Sequence, residues 1–346
     1  MLDFTVEEAG FDYTRLKAYS GYYLDENNLL KSASGGAASV LAESIINHGG
    51  IVFGVSYSSD FKRAEWRCAS NLQDLECLRN SKYCESTKEI IVDGEARSLY
   101  PFVEEKIKEG ILILFIGLGC DVAALKSMCE AKKIDVSNLY TVEIICHGPT
   151  YSFVQEQYIT MLEKEYKSSV ISFSIRYKKN GWMPSYVRAE FANGDVFEKL
   201  RGETEFGITF EHLSKLSCYN CKFKGANHKA DLACGDYWGL TKSMKGWNDN
   251  GVSLLLVQTN RGEELLQMID EKAFHIEEAD IALALKNNPL YYKCREKDEH
   301  YDKFLKMIKE RGIHYAVNHY PTTPKKRIKR AIKRYLAKSV INTMKK

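Results

Sequence analysis

The chain has 346 residues, 45% of them hydrophobic and 27% charged, with a formal net charge of +3. That composition belongs to a folded globular protein and excludes disorder, and the charge is too small to argue for nucleic acid as a partner. No apolar run approaches the roughly 20 residues a membrane-spanning helix needs, and the acidic start MLDFTVEEAG lacks the pattern of a secretory signal, so a cytoplasmic location is the expectation.

Residues 17–24 read as a strand, followed by a glycine-rich loop, SASGG at 32–36, that feeds a helix over 37–47. Two successive strands are expected at 51–59 and 63–69, then a short helix at 72–79 and a loop closed by SKY at 81–83. A helix over 100–109 ends at Gly110, a residue type suited to the left-handed position past a helix. The continuous apolar run 111–116 predicts a buried parallel strand, turning at 117–120 into a helix over 121–132. A second buried strand at 139–145 runs into Cys146, and helical spacing returns at 153–166. Beyond it, 170–177 and 186–191 are strand-like, and Asn193-Gly194 marks a hairpin. Residues 218–239, rich in Cys, Gly and Asp, read as an irregular loop; a strand at 252–258 and a helix at 263–270 follow. The order predicts an α/β fold: a mainly parallel sheet with an antiparallel extension, a Cys-rich loop region and a helical C-terminal tail. The tail, 325–346, places Ile328, Ile332, Tyr335, Leu336 and Val340 at helical spacing between lysines and arginines. It reads as a solvated helix packed on the domain, with peripheral contact to an acidic membrane surface as the second reading.

The chain has ten cysteines, and in a reducing compartment disulfides are not expected among them. Most free cysteines pack as small hydrophobes. Four stand where ligands stand. Cys218 and Cys221 form a CxxC in a polar, loop-like setting, able to present two thiolates to one metal or one cluster face. Cys120 follows a strand and a Gly117-Leu118-Gly119 turn, near the start of a helix whose free N–H groups favour a thiolate. Cys146, in Cys146-His147-Gly148, ends the next strand. Ligands collect at strand C-termini in open parallel sheets, so Cys120 and Cys146 meet if their strands are neighbours. Four thiolates suit a 4Fe–4S cluster, and equally a closed tetrahedral zinc site. A third reading makes Cys120 a nucleophile with His147 as its partner. Ser34, Gly35 and Gly36 open a helix and could hold a phosphate, while Gly235-Asp236-Tyr237-Trp238-Gly239 could wall a flat ring.

Taken in order, these blocks resemble the deazaflavin-coenzyme (F-420) hydrogenase/dehydrogenase beta-subunit family. The motifs that carry the resemblance are SASGG, NSKY at 80–83, GLGC at 117–120, CHG at 146–148, and Arg176-Tyr177-Lys178 with Gly181-Trp182. SCYNCKFKG at 217–225, ADLACGDYWG at 230–239, NDNGVSL at 248–254 and TNRG at 259–262 complete the series, so the resemblance spans roughly residues 16–275. One departure is the family's GTPCQ, which stands here as Gly-Leu-Gly-Cys-Asp.

The resemblance implies a flavin-binding α/β domain, with FAD expected and FMN as the alternative, together with a 4Fe–4S cluster. It implies cluster ligands at Cys120, Cys146, Cys218 and Cys221, with Cys84 and Cys234 in reserve. Flavin contacts would lie at Ser34, Gly35, Gly36, Lys82, Gly235, Asp236 and Trp238, and Arg176 and Lys178, with Lys82, would bring positive charge to the phosphates or reduced ring. His147 is a structural residue or, as a weaker catalytic candidate, a proton donor. The expected organisation is an N-terminal extension at 1–15, a flavin and iron–sulfur domain at 16–290 and the basic helical tail at 291–346. No C-x2-C-x2-C-x3-C-P module precedes Ser20, so the expected partners are a hydride-carrying coenzyme and a separate electron-transfer protein such as a ferredoxin. The alternative to this redox reading is a non-redox scaffold, related to polysaccharide assembly, with a structural four-cysteine zinc site.

Overall fold

The computed structural model describes residues 4–320. After a short helix, α1 (Val6–Ala9), the chain forms β1 (Lys17–Tyr23), α2 (Glu26–Lys31), α3 (Ala37–Asn47), β2 (Ile51–Tyr57) and β3 (Ala64–Ala69). Next come α4 (Leu72–Leu75), β4 (Ser86–Val92), β5 (Glu95–Ser98), α5 (Leu99–Lys108), β6 (Ile113–Leu118), α6 (Gly119–Ala131), β7 (Leu139–Ile144) and α7 (Ser152–Tyr166). Then β8 (Val170–Tyr177), β9 (Tyr186–Phe191) and β10 (Val196–Leu200) precede α8 (Glu205–His212) and β11 (Leu232–Asp236). The described chain ends with β12 (Ser253–Val257), α9 (Asn260–Gln267), β13 (Phe274–Glu278), α10 (Ile281–Asn287) and α11 (Tyr301–His319).

Ten strands form one sheet in the order β13-β1-β12-β11-β7-β6-β2-β3-β4-β5. Its centre, β11-β7-β6-β2, is parallel. On one side β12, β1 and β13 add antiparallel strands, and on the other β3 runs antiparallel to β2. The central strands are mostly apolar because both faces are covered, with Ser56, Thr141 and Glu143 as buried polar exceptions. Val40, Leu41 and Ile45 of α3 pack with Val52, Leu114 and Val142 on one face. Phe102, Val103 and Ile107 of α5 and Val122 and Leu125 of α6 pack with Phe53, Ile113 and Phe115 on the other. A fully buried side chain of this size contributes about 1.5–3 kcal/mol.

The antiparallel extension stands apart as a three-stranded sheet, β10-β9-β8, with the Asn193-Gly194 hairpin joining β9 to β10. Its own core joins Phe173, Ile175, Val187 and Phe191 to Val154 and Tyr158 of α7, Phe206 and Phe210 of α8, and Phe304, Ile308 and Val317 of α11.

The irregular loop expected at 218–239 is corrected by β11, which sits near the sheet centre between β7 and β12. Its Leu232, Ala233 and Cys234 are buried, and the glycine and aspartate that follow mask a strand too short to show a period. The helix expected at 72–79 is α4 followed by a 3-10 turn at Glu76–Leu78. The sequence reading missed α1, α2, β4, β5, α8, β13 and α10. No helix among the described residues is long and apolar enough to cross a membrane. The basic tail at 325–346 lies outside the described residues.

Candidate functional site

A cavity of about 530 Å³ opens over the C-terminal ends of β6, β7 and β11. Its size falls within the ~300–1,000 Å³ of small-molecule sites. It is lined by Ser34, Gly36, Lys82, Arg176, Gly235, Asp236 and Trp238, and also by Cys84, Cys146, His147 and Cys234. Elements distant in sequence therefore bring all but one of the flavin-contact candidates to one chamber. The exception is Gly35, which lies behind the wall. A Cβ there would sit 2.1 Å from the Gly21 carbonyl oxygen and 2.5 Å from the Ser253 nitrogen, so glycine lets the loop press onto β1 and β12. Gly36 takes φ 97°, the left-handed conformation that glycine adopts freely, at the start of α3.

The polar groups of the glycine-rich loop are turned to the protein. The Ser34 hydroxyl donates to the Val252 carbonyl at 2.8 Å, and the Ser32 hydroxyl to that of Asn28 at 2.8 Å. Neither is left for a phosphate. What the loop offers is the start of α3, where Gly36 supplies no side-chain cap and the Ala37 N–H makes one long bond, 3.3 Å, to the Ser253 hydroxyl. Free N–H groups and the helix dipole at such an end favour an anion.

The three cations expected near a cofactor are each held by protein acceptors. Arg176 grips Asp236 with two hydrogen bonds, at 2.7 and 2.9 Å, and donates to the Tyr83 hydroxyl at 3.2 Å. Its Nε remains buried without an acceptor. Lys178 is buried and donates to the carbonyls of Leu29 and Ser34, both at 2.7 Å, which ties β8 to the SASGG loop. Burial lowers its pKa to about 7, with Arg176 adding to the effect. Lys82 donates to the carbonyls of Cys77, Leu78, Arg79 and Asn80, closing the turn after α4. Burial lowers it too, to about 7.

Asp236 also accepts the indole N–H of Trp182 at 2.9 Å. Trp182 stacks on Trp238 with ring centres 5.1 Å apart and planes 3° from parallel. Trp238 is 37% exposed, an uncommon state for an indole held so firmly from behind.

Cys120, Cys146, Cys218 and Cys221 gather at one corner of the sheet edge. Cys120 is influenced by the charges of Cys146 and Cys221, Cys146 by those of Cys218 and Cys221, and Cys218 by those of Cys120 and Cys221. Every pair of the four is thus within electrostatic reach. Desolvation is the main cause that pushes Cys120 up to about 12 and Cys146 and Cys218 up to about 11. Three lysines oppose it: Lys88 at Cys120, Lys224 at Cys146 and Lys215 at Cys218. The Gly148 N–H donates to the Cys146 sulfur at 3.2 Å. Among the described residues no group of three or more His, Cys, Asp or Glu is set to hold a single metal ion.

The reserve cysteines stand elsewhere. Cys84 is buried and acted on by Glu85 and Lys82, and Cys234 is buried on β11 and acted on by Glu143 and Asp236. His147 stacks on Phe210, its Nδ1 3.3 Å from an Arg295 nitrogen. Burial, then Arg295, lowers its pKa to about 4. An imidazole that accepts at Nδ1 carries its proton on Nε2. Burial, then Asp121, raises the Cys120 thiol, whereas an activated nucleophile is one whose pKa is lowered.

Sequence reasoning missed Lys88, Lys215 and Lys224, although the run KLSCYNCKFK shows two of them flanking the CxxC. It also missed Arg79, Arg201 and Phe210 on the cavity wall, and Cys294, whose thiol lies 3.4 Å from the Cys221 carbonyl oxygen.

The fold and cavity place the chain among α/β proteins that take a ligand at the C-terminal ends of parallel strands. Residues 111–282 match the family described as the C terminus of the coenzyme F420 hydrogenase/dehydrogenase beta subunit, and through this segment the chain belongs to that family. A beta-subunit-like oxidoreductase is the class this family defines. The fold is similar to a chain of the F420-reducing [NiFe] hydrogenase complex from Methanosarcina barkeri, studied by xenon derivatization. The TM-score is 0.52 and the identity 16%, over 85% of this chain and 91% of that chain. No curated protein matches the sequence.

Proposed function

We propose that this chain is an iron–sulfur flavoprotein oxidoreductase that passes electrons between a hydride-carrying coenzyme and a 4Fe–4S cluster, in association with a separate electron-transfer protein. The observation that carries the reading is the approach of four thiols, up to 101 positions apart in sequence (120 to 221), beside a nucleotide-sized cavity that one of them, Cys146, lines. A tetrahedral zinc site would draw all four sulfurs to ~2.3 Å from one ion. A four-iron cluster binds each sulfur to a different iron and asks only that they surround a common volume. Four thiols within electrostatic reach of one another beside the cavity fit the second arrangement.

A flavin bound in the cavity supplies two-electron hydride exchange, and a cluster supplies one-electron transfer. The chain's own residues orient both. The start of α3, at Gly36, would receive the phosphates of FAD, or of FMN as the alternative, and Trp238 and Gly235 would wall the ring. Arg176, Lys178 and Lys82 would act by fixing those walls. Cys120, Cys146, Cys218 and Cys221 would ligate the cluster. Lys88, Lys215 and Lys224 favour the thiolate forms and stabilise the negative charge of a thiolate-bound cluster. His147 would present its Nε2 proton to the chamber as a hydrogen-bond donor.

The test is anaerobic purification and reconstitution, followed by iron, sulfide and flavin assay and the visible spectrum. Roughly four irons and four sulfides per chain are expected, with a yellow cofactor released on heating. Cys218→Ser is expected to lose most of the iron while keeping the flavin. One equivalent of zinc without broad visible absorption would overturn the cluster. Failure to retain any flavin would overturn the other half.

A further inference from the structure

The thiol corner opens on one side to solvent. Cys120 is an exposed residue at the start of α6, and Leu216, in the turn before the CxxC, is 58% exposed. The CxxC loop lies against that helix start: the Phe223 Cβ is 3.4 Å from where a Cβ on Gly119 would stand. Cys120 and the CxxC loop, which carries Leu216 before it and Lys222 after it, therefore lie side by side.

The charge on this corner is one-sided. Residues 214–230, SKLSCYNCKFKGANHKA, hold four lysines and no acid. Two nearby cations are neutralised, Lys88 by Asp121 at 2.5 Å and Lys215 by Glu85. Lys224 is used within the protein, on the carbonyls of Cys146 and Leu290. Lys222 and Lys229 are exposed, and among the described residues neither has a carboxylate within ion-pair reach. Glu143, which also meets the loop, is buried and faces His228. Unpaired cations on a loop that carries an exposed leucine and two redox-capable sulfurs form a surface that attracts an acidic partner and gives it an apolar point of contact.

We propose that this corner is the docking face for an acidic one-electron carrier protein, with Lys222 and Lys229 steering its approach and Leu216 packing at the centre. The inference rests on the cluster reading and adds where the electron leaves and what chemistry receives it. One electron passes from the reduced cluster to the oxidised centre of the partner, and no bond or proton changes place. Electrostatic steering of this kind acts on the association rate and weakens with salt.

The experiment uses the full chain after anaerobic reconstitution, with a plant-type 2Fe–2S ferredoxin as an acidic probe and a small uncharged quinone as a control acceptor. Stopped-flow mixing of the reduced protein with oxidised ferredoxin is expected to give a rate that falls steeply with ionic strength. The Lys222→Glu/Lys229→Glu double variant is expected to slow it about tenfold while leaving reduction of the quinone, iron content and circular dichroism unchanged. Lys222→Gln/Lys229→Gln serves if charge reversal impairs folding, with a smaller slowing expected. An unaltered ferredoxin rate in variants that retain their iron overturns the docking face and leaves the cluster reading intact. Absence of iron and sulfide from the wild-type chain overturns the cluster reading and this inference with it.

Discussion

The two halves of the site use positive charge in opposite ways. Around the cavity, Arg176, Lys178 and Lys82 are consumed by Asp236 and by backbone carbonyls, so they act as fasteners. Around the CxxC, Lys222 and Lys229 are exposed, with no carboxylate in ion-pair reach among the described residues. A buried cation must be satisfied by its own protein, because the desolvation penalty is otherwise too large. A solvated one can wait for a partner. The R-x-K lysine and arginine thus mark the rigidity of a chamber, whereas of the lysines after the CxxC only Lys222 and Lys229 face solvent, and Lys224 between them is a fastener too.

This contrast can be broken from the fastener side first. Arg176→Leu strips the counter-charge from Asp236, which is 15% exposed. Breaking a buried pair in this way costs about 3–5 kcal/mol. Urea unfolding is expected to show that loss, and a double Arg176→Leu/Asp236→Leu variant to recover part of it. No loss in the single variant would mean that Arg176 is not a fastener. Lys178→Met leaves the carbonyls of Leu29 and Ser34 without their donor, a cost of about 2 kcal/mol. It should also raise hydrogen exchange in the SASGG loop.

The smallest effect is the pH dependence of that second loss. Lys178 titrates near 7 when folded and near ~10.4 when unfolded. Below pH 7 both states carry the proton and the folded state bears the full cost of the buried charge. Above pH 7 the folded state releases the proton before the unfolded state does, and the cost is relieved. The melting-temperature advantage of wild type over Lys178→Met is therefore expected to grow between pH 7 and 9. A constant difference would mean that Lys178 is not desolvated as its position requires.

The parallel centre was legible because β6 is an unbroken apolar run and β7 is buried on both faces, with Thr141 and Glu143 too few to mask it. The gathering of Cys120 with Cys146 followed from one rule, that neighbouring parallel strands deliver their C-terminal residues to the same edge. What could not be read was anything decided by a distant acceptor. Lys178 was expected beside a cofactor because its partners, two backbone carbonyls in another segment, leave no mark in side-chain identity. β11 was hidden for a related reason: its partners β7 and β12 supply the burial that its own five residues are too few to announce. β5, exposed throughout, has no apolar alternation to find.

The parallel indoles of Trp182 and Trp238 give the molecule an optical property that neither ring would have alone. Indoles stacked this closely couple through their intense far-ultraviolet band, and where the two transition dipoles are skewed within their parallel planes the coupling gives circular-dichroism components of opposite sign. Any flat molecule settling against Trp238 would disturb that coupling. The chain therefore carries its own label-free gauge of whether the chamber is filled.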